Sequence, residues 1–296
     1  MTFNQIIGNE KQKEYLNQII ENGNVLHGYL FNGMSGIGKK LIAKEFARKI
    51  LCHEKGKDLC KCKSCLCFEG ENHPDFSIIN NDELTIKVDE IRTLTKKVYE
   101  KPIISTKKVY IINNADQMTQ EAQNSLLKTL EEPPEYITII LVTSNENAIL
   151  NTIKSRLLKV NFDSIDDDTL KNYAINELGY LNISSNMLKA FGGSIGIATR
   201  VKNNSELYTK IEQFVDNISE YNQIQILKQG KILYEKDLIN EVLDYMIVCL
   251  YSKGINEKRY LNCIDHVREA LEHFKYNSNF EMTLDNMLLK IFEEFK

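Results

Sequence analysis

The sequence predicts an α/β core built on a parallel sheet, followed by a helical region, and three observations carry that expectation. Short apolar runs at Val25 to Phe31, Phe76 to Ile79, Val109 to Ile112 and Tyr136 to Val142 are each separated by enough chain for a helix. The segment YITIILVT, Tyr136 to Thr143, is apolar nearly throughout instead of alternating, as expected of a strand that helices cover on both faces. After about Phe162 the strand signals fade, and SIDDDTLKNYAINELGY opens a region with Asp and Ser cap candidates and apolar spacing of three and four.

The helices between the strands follow from periodicity. Lys39 to Leu51 places Ile42, Phe46 and Ile50 on one face, and Val88 to Glu100 does the same with Ile91, Leu94 and Val98. A third helix is expected from an N-cap at Thr119 through Ala122, Leu126, Leu127 and Leu130 to Glu132, where Pro133 and Pro134 stop it. Beyond the core, a small helical unit runs to about Lys202, and longer helices fill Tyr208 to Lys296, joined by the polar turns KGINEK and KYNSN. A chain of 296 residues is too long for one ordinary core, so two or three domains are expected.

Composition narrows the function. Apolar residues form 43% of the chain and charged residues 26%, the balance of a folded protein. The formal net charge of −4 supplies no global attraction to DNA, so any nucleic-acid contact must come from local basic stretches or from partners. The opening MTFNQIIGNEKQKEY reaches charge before any apolar run of signal-peptide length, and Val242 to Tyr251 is too short to span a bilayer. A cytoplasmic location with no membrane partner is the expectation.

Two segments carry chemistry. LFNGMSGIGKK follows an expected strand and precedes an expected helix, so Gly33, Gly36, Gly38 and Lys39 match a phosphate-binding loop in its required context. Glycines turn backbone N–H groups toward phosphate, the helix N-terminus adds positive potential, and the lysine reaches the β and γ phosphates. The loop departs from the pattern at Lys40, where a hydroxyl should bind Mg²⁺, and an ammonium cannot ligate a cation. The strand KKVYII then ends in Asn113 and Asn114, where an ATPase of this kind carries carboxylates for metal and water. Both departures remove the same magnesium and water site, so hydrolysis is not expected. Nucleotide held without turnover and a bare glycine turn both stay open.

The second segment holds five of the seven cysteines, Cys52, Cys60, Cys62, Cys65 and Cys67, within sixteen residues. In a reducing compartment such a cluster reads as a metal site before it reads as disulfides, and four thiolates suit a closed structural zinc.

With these motifs in hand, the chain resembles the clamp-loader subunits of bacterial DNA polymerase III, above all those of the delta prime type. The run NNADQMTQEAQNSLLKTLEEPP, Asn113 to Pro134, resembles the stretch these subunits carry after their second nucleotide motif. LHGYLFNG, SNENAILNTIKSR and FGGSIGIATR fall in the expected order, and NSNFEMTLDNMLLKIF, Asn277 to Phe292, resembles the family's last helix. The likeness implies an AAA+ P-loop core over residues 1–162 with an inserted zinc module at about 52–67, a helical lid over 163–205 and a helical collar over 206–296. It further implies that Ser155 and Arg156 stand for the family's serine and arginine, the arginine entering the ATP site of the adjacent subunit. A guanidinium so placed offsets charge on the transferring phosphoryl group. The lid arginine of active members aligns near Gly196 or Ile197, and Arg200 lies one turn later.

By the same resemblance, two C-x-x-C steps precede an His-Pro-Asp segment, here His73, Pro74 and Asp75. Counting back from it gives Cys52, Cys60, Cys62 and Cys65 as the zinc ligands after a one-residue adjustment, with Cys67 as the competitor. The implied partners are the tau/gamma ATPase subunits and the delta subunit, with the sliding clamp and primer-template DNA met through the assembly. Lys96, Lys97, Lys101, Lys107 and Lys108 could touch DNA phosphates, although Glu90 and Glu100 interrupt them and favour a solvated helix face. The leading expectation is a non-hydrolysing loader subunit. The rivals are an active loader ATPase and a zinc-dependent nucleic-acid-binding module, the latter disfavoured by the mixed charge of Asp58, Glu69, Glu71 and Asp75.

Overall fold

The structure, a computed structural model, describes residues 2–79, 85–276 and 278–296. Two compact units are present: Met1–Thr169 with Gly193–Gly196, and Leu170–Gly192 with Ile197–Lys296.

The first unit is a parallel sheet between helical layers. Its elements are α1 (Glu10–Glu21), β1 (Gly28–Asn32), α2 (Lys39–Leu51), α3 (Lys63–Glu69), β2 (Phe76–Ile79), α4 (Val88–Val98), β3 (Lys108–Ile112), α5 (Gln120–Glu131), β4 (Ile137–Thr143), α6 (Asn151–Lys154) and β5 (Leu158–Asn161). The sheet order is β2-β3-β4-β1-β5, and every pairing is parallel. Strand alternation sorts the core into two layers. Tyr29, Phe31, Val109, Ile111, Ile140 and Val142 meet Leu16, Ile42 and Phe46 of α1 and α2 on one face. Leu30, Tyr110, Ile112, Ile139 and Leu141 meet Ile91, Leu94, Val98, Leu126 and Leu130 of α4 and α5 on the other. Every residue of β3 and β4 is buried, which explains why β4 reads as a continuous apolar run.

The expected elements shift by a few residues. The first strand begins at Gly28, because Leu26 is held outside it, its backbone N–H donating to the Tyr29 hydroxyl at 2.9 Å. Helix α4 stops at Val98, while Thr119 caps α5 as expected, its side chain accepting from the Ala122 N–H at 3.2 Å. Helix α1 and strand β5 were not anticipated. In β5 the residues Lys159 and Asn161 are exposed and only Val160 is buried, so an edge strand of four residues leaves no apolar run to find.

The second unit contains α7 from Leu170 onward (helix Asp167–Asn176), α8 (Ser185–Phe191), α9 from Ile197 onward (helix Ile195–Asn203), α10 (Ser205–Asn217), α11 (Gln223–Gln229), α12 (Ile239–Gly254), α13 (Lys258–Lys275) and α14 (Phe280–Glu293). Polar caps start several of them: Ser184 accepts from Met187 N–H, Asn222 from Ile224 and Gln225 N–H, and Asn279 from Met282 N–H. Tyr208, Ile211, Phe214 and Val215 of α10 are buried, as are Val242, Leu243, Met246 and Leu250 of α12 and Leu284, Met287, Leu288 and Ile291 of α14. The apolar stretch Val242 to Tyr251 lies within α12, and among the described residues no helix is long and apolar enough to cross a membrane. Asn277, where the family-like closing stretch opens, lies outside the described residues.

Candidate functional site: glycine loop, arginine and cysteine cluster

Parallel strands bring the ends of β1, β3, β4 and β5 to one edge of the sheet, where ligands of open α/β sheets bind. The glycine loop sits there, between β1 and α2. Gly38 caps α2 in the left-handed region at φ 91°, and Lys39 is the first helical residue. Gly36, at φ 77°, admits no side chain, since a Cβ would strike the Ser194 hydroxyl and lie 3.1 Å from the Gly196 Cα. Gly196 N–H donates to the Gly36 carbonyl at 2.9 Å, and the Ser194 hydroxyl donates to the Ser35 carbonyl at 3.0 Å. Lys39 is only 6% exposed and folds onto its own loop, its ammonium donating to the carbonyls of Gly33 at 2.7 Å and Met34 at 2.5 Å. Burial pulls its pKa down to about 8, opposed by the charge of Asp116.

No carboxylate stands at either position that follows β3. Asn113 is buried and its N–H donates to the Ile79 carbonyl at 3.0 Å, while Asn114 adopts the left-handed conformation at φ 52°. The acidic group that the fold does bring near is Asp116, which sequence reasoning missed although it is the one carboxylate in the NNADQ turn. One Asp116 oxygen accepts from the Thr143 hydroxyl at 2.8 Å and Ser144 N–H at 3.2 Å, and the other accepts from the Ser144 hydroxyl at 3.3 Å. It ties the β3 turn to the end of β4. Arg200 is held elsewhere, by Glu241 at 2.9 Å within the second unit.

Arg156 lies in the turn between α6 and β5, where Ile153 and Leu157 are buried and anchor the backbone on either side. Its side chain is 33% exposed and paired with Glu131 at 2.7 Å. The same guanidinium donates to the Thr152 carbonyl at 2.6 Å and to the Ser155 hydroxyl at 3.3 Å. An ion pair this exposed contributes only about 0–1 kcal/mol, so exchanging Glu131 for another anion costs little.

The Sγ atoms of Cys52, Cys60, Cys62 and Cys65 all lie within 4.8 Å of one another, and three of these residues are buried. Four sulfurs about 2.3 Å from a tetrahedral zinc would stand about 3.8 Å apart, so this donor set fits the ion. Cys52 ends α2, Cys62 caps α3, and Cys65 lies within α3 three residues on. Backbone N–H groups already point at sulfur, Glu54 toward Cys52 at 3.3 Å and Cys62 toward Cys60 at 3.4 Å. Burial works against a Cys62 thiolate, but the N–H groups of Cys65 and His53 and the neighbouring thiols outweigh it and lower its pKa to about 6.

The His-Pro-Asp segment proves to be the brace of this module. The buried Asp75 carboxylate accepts from the N–H groups of Ile103, Ile104 and Ser105 at 2.7, 2.7 and 2.8 Å. The Ser105 and Ser64 hydroxyls both donate to the Leu51 carbonyl, next to Cys52, and His73 Nε2 lies 2.9 Å from the Ser64 hydroxyl. Burial holds the His73 pKa below its usual value, with Asp75 opposing. In the lysine group the structure corrects the reading of a solvated helix face for Lys108. That side chain is buried and caps α4, donating to the carbonyls of Lys97 at 3.2 Å and Glu100 at 3.0 Å.

Comparison with known proteins places the chain in a family. Residues 8–166 match the family profile described as DNA polymerase III, delta subunit. The chain is similar to DNA polymerase III subunit delta' of Bacillus subtilis, 37% identical over 159 residues that cover 53% of this chain and 48% of that one. It is also similar to DNA polymerase III subunit tau of Bacillus subtilis, 29% identical over 92% of this chain and 46% of the relative. The chain thus spans about half the length of these relatives. Among solved structures, a DNA polymerase III gamma subunit-related protein of Thermotoga maritima superposes with a TM-score of 0.56 at 20% identity, covering 96% of this chain and all of that one. At that identity the likeness concerns the fold.

Proposed function

The chain belongs to the DNA polymerase III delta subunit family, and on that premise we propose that it is a non-hydrolysing subunit of a bacterial sliding-clamp loader that lends Arg156 to a neighbouring subunit's ATP. One observation carries the reading. The glycine loop is built and carries its lysine, yet Lys40, Asn113 and Asn114 occupy the places where magnesium and water would be held. A nucleotide entering this loop meets Lys39 and backbone amides but no hydroxyl or carboxylate at the positions expected to hold magnesium, and is held without turnover.

Arg156 supports the second half of the reading, being partly exposed, rigidly mounted and engaged through a weak, exchangeable ion pair. The four-cysteine group holds a structural zinc, closed by four thiolates with no open position for catalysis. In this reading residues 1–162 form the AAA+ core, 163–205 the lid and 206–296 the collar. The partners are tau/gamma and delta subunits, and the clamp and primer-template DNA are met through the assembly.

ATP turnover tests the proposal, measured for this chain alone and then for a loader reconstituted with its ATPase and delta subunits, clamp and primed DNA. The isolated chain should turn over no ATP, and Arg156→Ala should slow hydrolysis at the adjoining site by about 10³ to 10⁵, as loss of a trans arginine does elsewhere. Turnover by the isolated chain would favour the ATPase rival. A loader rate unchanged by Arg156→Ala would remove the arginine's role.

A further inference from the structure

We propose that Arg48 is a positioning residue for the four-cysteine metal site, its guanidinium holding the Cys65 sulfur by a hydrogen bond while Glu45 fixes its orientation. The inference rests on the reading of that site as a zinc centre. A divalent ion bound by four thiolates carries a formal charge of about −2, and this one lies in a largely buried module. Sulfur ligands in such a place need donors around them, because water is excluded.

Helix α2 supplies the donor. Arg48 stands one turn before Cys52, so the two share a helix face. Its side chain is 6% exposed, and that of Glu45 is 3% exposed. Two edges of the guanidinium are committed to Glu45, with Nε to Oε2 and Nη2 to Oε1 both at 2.8 Å. This fork fixes the plane of the group and turns the remaining nitrogen, Nη1, onto Cys65 Sγ at 3.3 Å. Asp58 also lies 3.8 Å from Arg48 Nη2, but its close partner is the neighbouring cation. Lys49, equally buried, binds the Gly56 carbonyl at 2.9 Å and Asp58 at 2.6 Å, pinning the loop that leads to Cys60. Backbone N–H groups serve Cys52 and Cys60, and Arg48 supplies a side-chain donor to Cys65.

A lysine could keep the charge but not the fork, since one ammonium lacks the planar geometry that satisfies Glu45 on one side and sulfur on the other. Removing such an outer partner typically weakens metal binding by about 10–100-fold. Loss of the hydrogen bond also raises the energy of the sulfur lone pair, which should move the thiolate-to-metal charge-transfer band of the cobalt-substituted protein to longer wavelength.

The experiment uses the full chain with zinc and with cobalt. Zinc affinity is read by chelator competition and the cobalt spectrum by absorption, for wild type, Arg48→Met, Arg48→Lys and Glu45→Gln. We expect Arg48→Met to weaken zinc by about 10–100-fold and to red-shift the charge-transfer band, with Arg48→Lys and Glu45→Gln falling between it and wild type. If Arg48→Met does not fold, Arg48→Lys and Glu45→Gln, which keep most of the volume, decide the matter. Zinc affinities within about twofold of wild type, a difference worth less than a tenfold step, together with an unmoved cobalt band would overturn the role of Arg48 and leave the zinc site standing. A wild-type chain that takes up no zinc, or one whose uptake survives Cys52→Ser, would instead overturn the zinc reading and this inference with it.

Discussion

Replacing Asp75 by alanine should unfasten the cysteine module from the sheet. The carboxylate is 1% exposed and accepts three backbone N–H groups in succession, from Ile103, Ile104 and Ser105, at 2.7 to 2.8 Å. A hydrogen bond to a charged acceptor contributes about 1.5–3 kcal/mol, and a buried donor left without one costs about 1–3 kcal/mol. Three would sum to more, but Ile103 is largely exposed, so water reaches part of the vacated nest. The expected loss is therefore about 3–5 kcal/mol, roughly a fifth or more of the stability of an ordinary domain. Because the chain has two compact units, a single global unfolding curve is the wrong measure. Hydrogen exchange of the peptide spanning residues 100–107 and of the module from Cys52 to Phe68 reads the effect locally. Protection should fall in both segments and hold in α12 of the second unit. Asp75→Asn, which keeps one carbonyl oxygen but turns an NH₂ toward the donors, should fall between. Exchange in both segments unchanged by Asp75→Ala would refute the bracing role, since the three donors would then have found other partners at no cost.

Metal content should separate the cysteines: Cys60→Ser should lower zinc uptake sharply, whereas Cys67→Ser should leave it near one ion per chain, because the Cys67 sulfur is outside the convergent group. Lys39 gives a pH prediction with a definite sign. Its pKa is lowered from 10.5 to about 8 in the folded chain, so between those values the unfolded chain binds the extra proton and stability rises with pH. The gain in the urea midpoint of the first unit from about pH 8 to 10, followed locally by hydrogen exchange of the α2 peptide, should be smaller in Lys39→Met than in wild type. Glu131→Ala should change stability by no more than about 1 kcal/mol, since its pair with Arg156 is exposed. A larger loss in the urea unfolding of the first unit, followed by hydrogen exchange of α5, would mean that the guanidinium is fixed too firmly to leave for a neighbouring subunit.

Much of the first unit was legible in the chain itself. Ile42, Phe46 and Ile50 recur at helical spacing, Pro133 and Pro134 end α5, and β4 is apolar throughout, since each signal is local and written in consecutive side chains. The loss of magnesium ligands was legible for the same reason, because Lys40, Asn113 and Asn114 occupy positions fixed by the loop and by the end of a strand. Strand β5 was not, because at the sheet edge it hydrogen-bonds to β1 and buries a single residue, which leaves no periodic signature.

Only the tertiary structure decided which atoms meet. It placed Asp116 against Thr143 and Ser144, turned Lys108 inward, and paired Arg156 with Glu131. It also separated Cys60 from Cys67, which spacing had left in competition. Once Cys62 caps α3 and Cys65 follows one turn later, both face the same side, while Cys67 lies about 200° around the helix from Cys65 at about 100° per residue. The chain between Cys52 and Cys60, pinned by Lys49, then closes the group. Spacing determines which side chains share a face of one element, but convergence between elements depends on how the intervening chain is anchored, and that is set by contacts far apart in sequence.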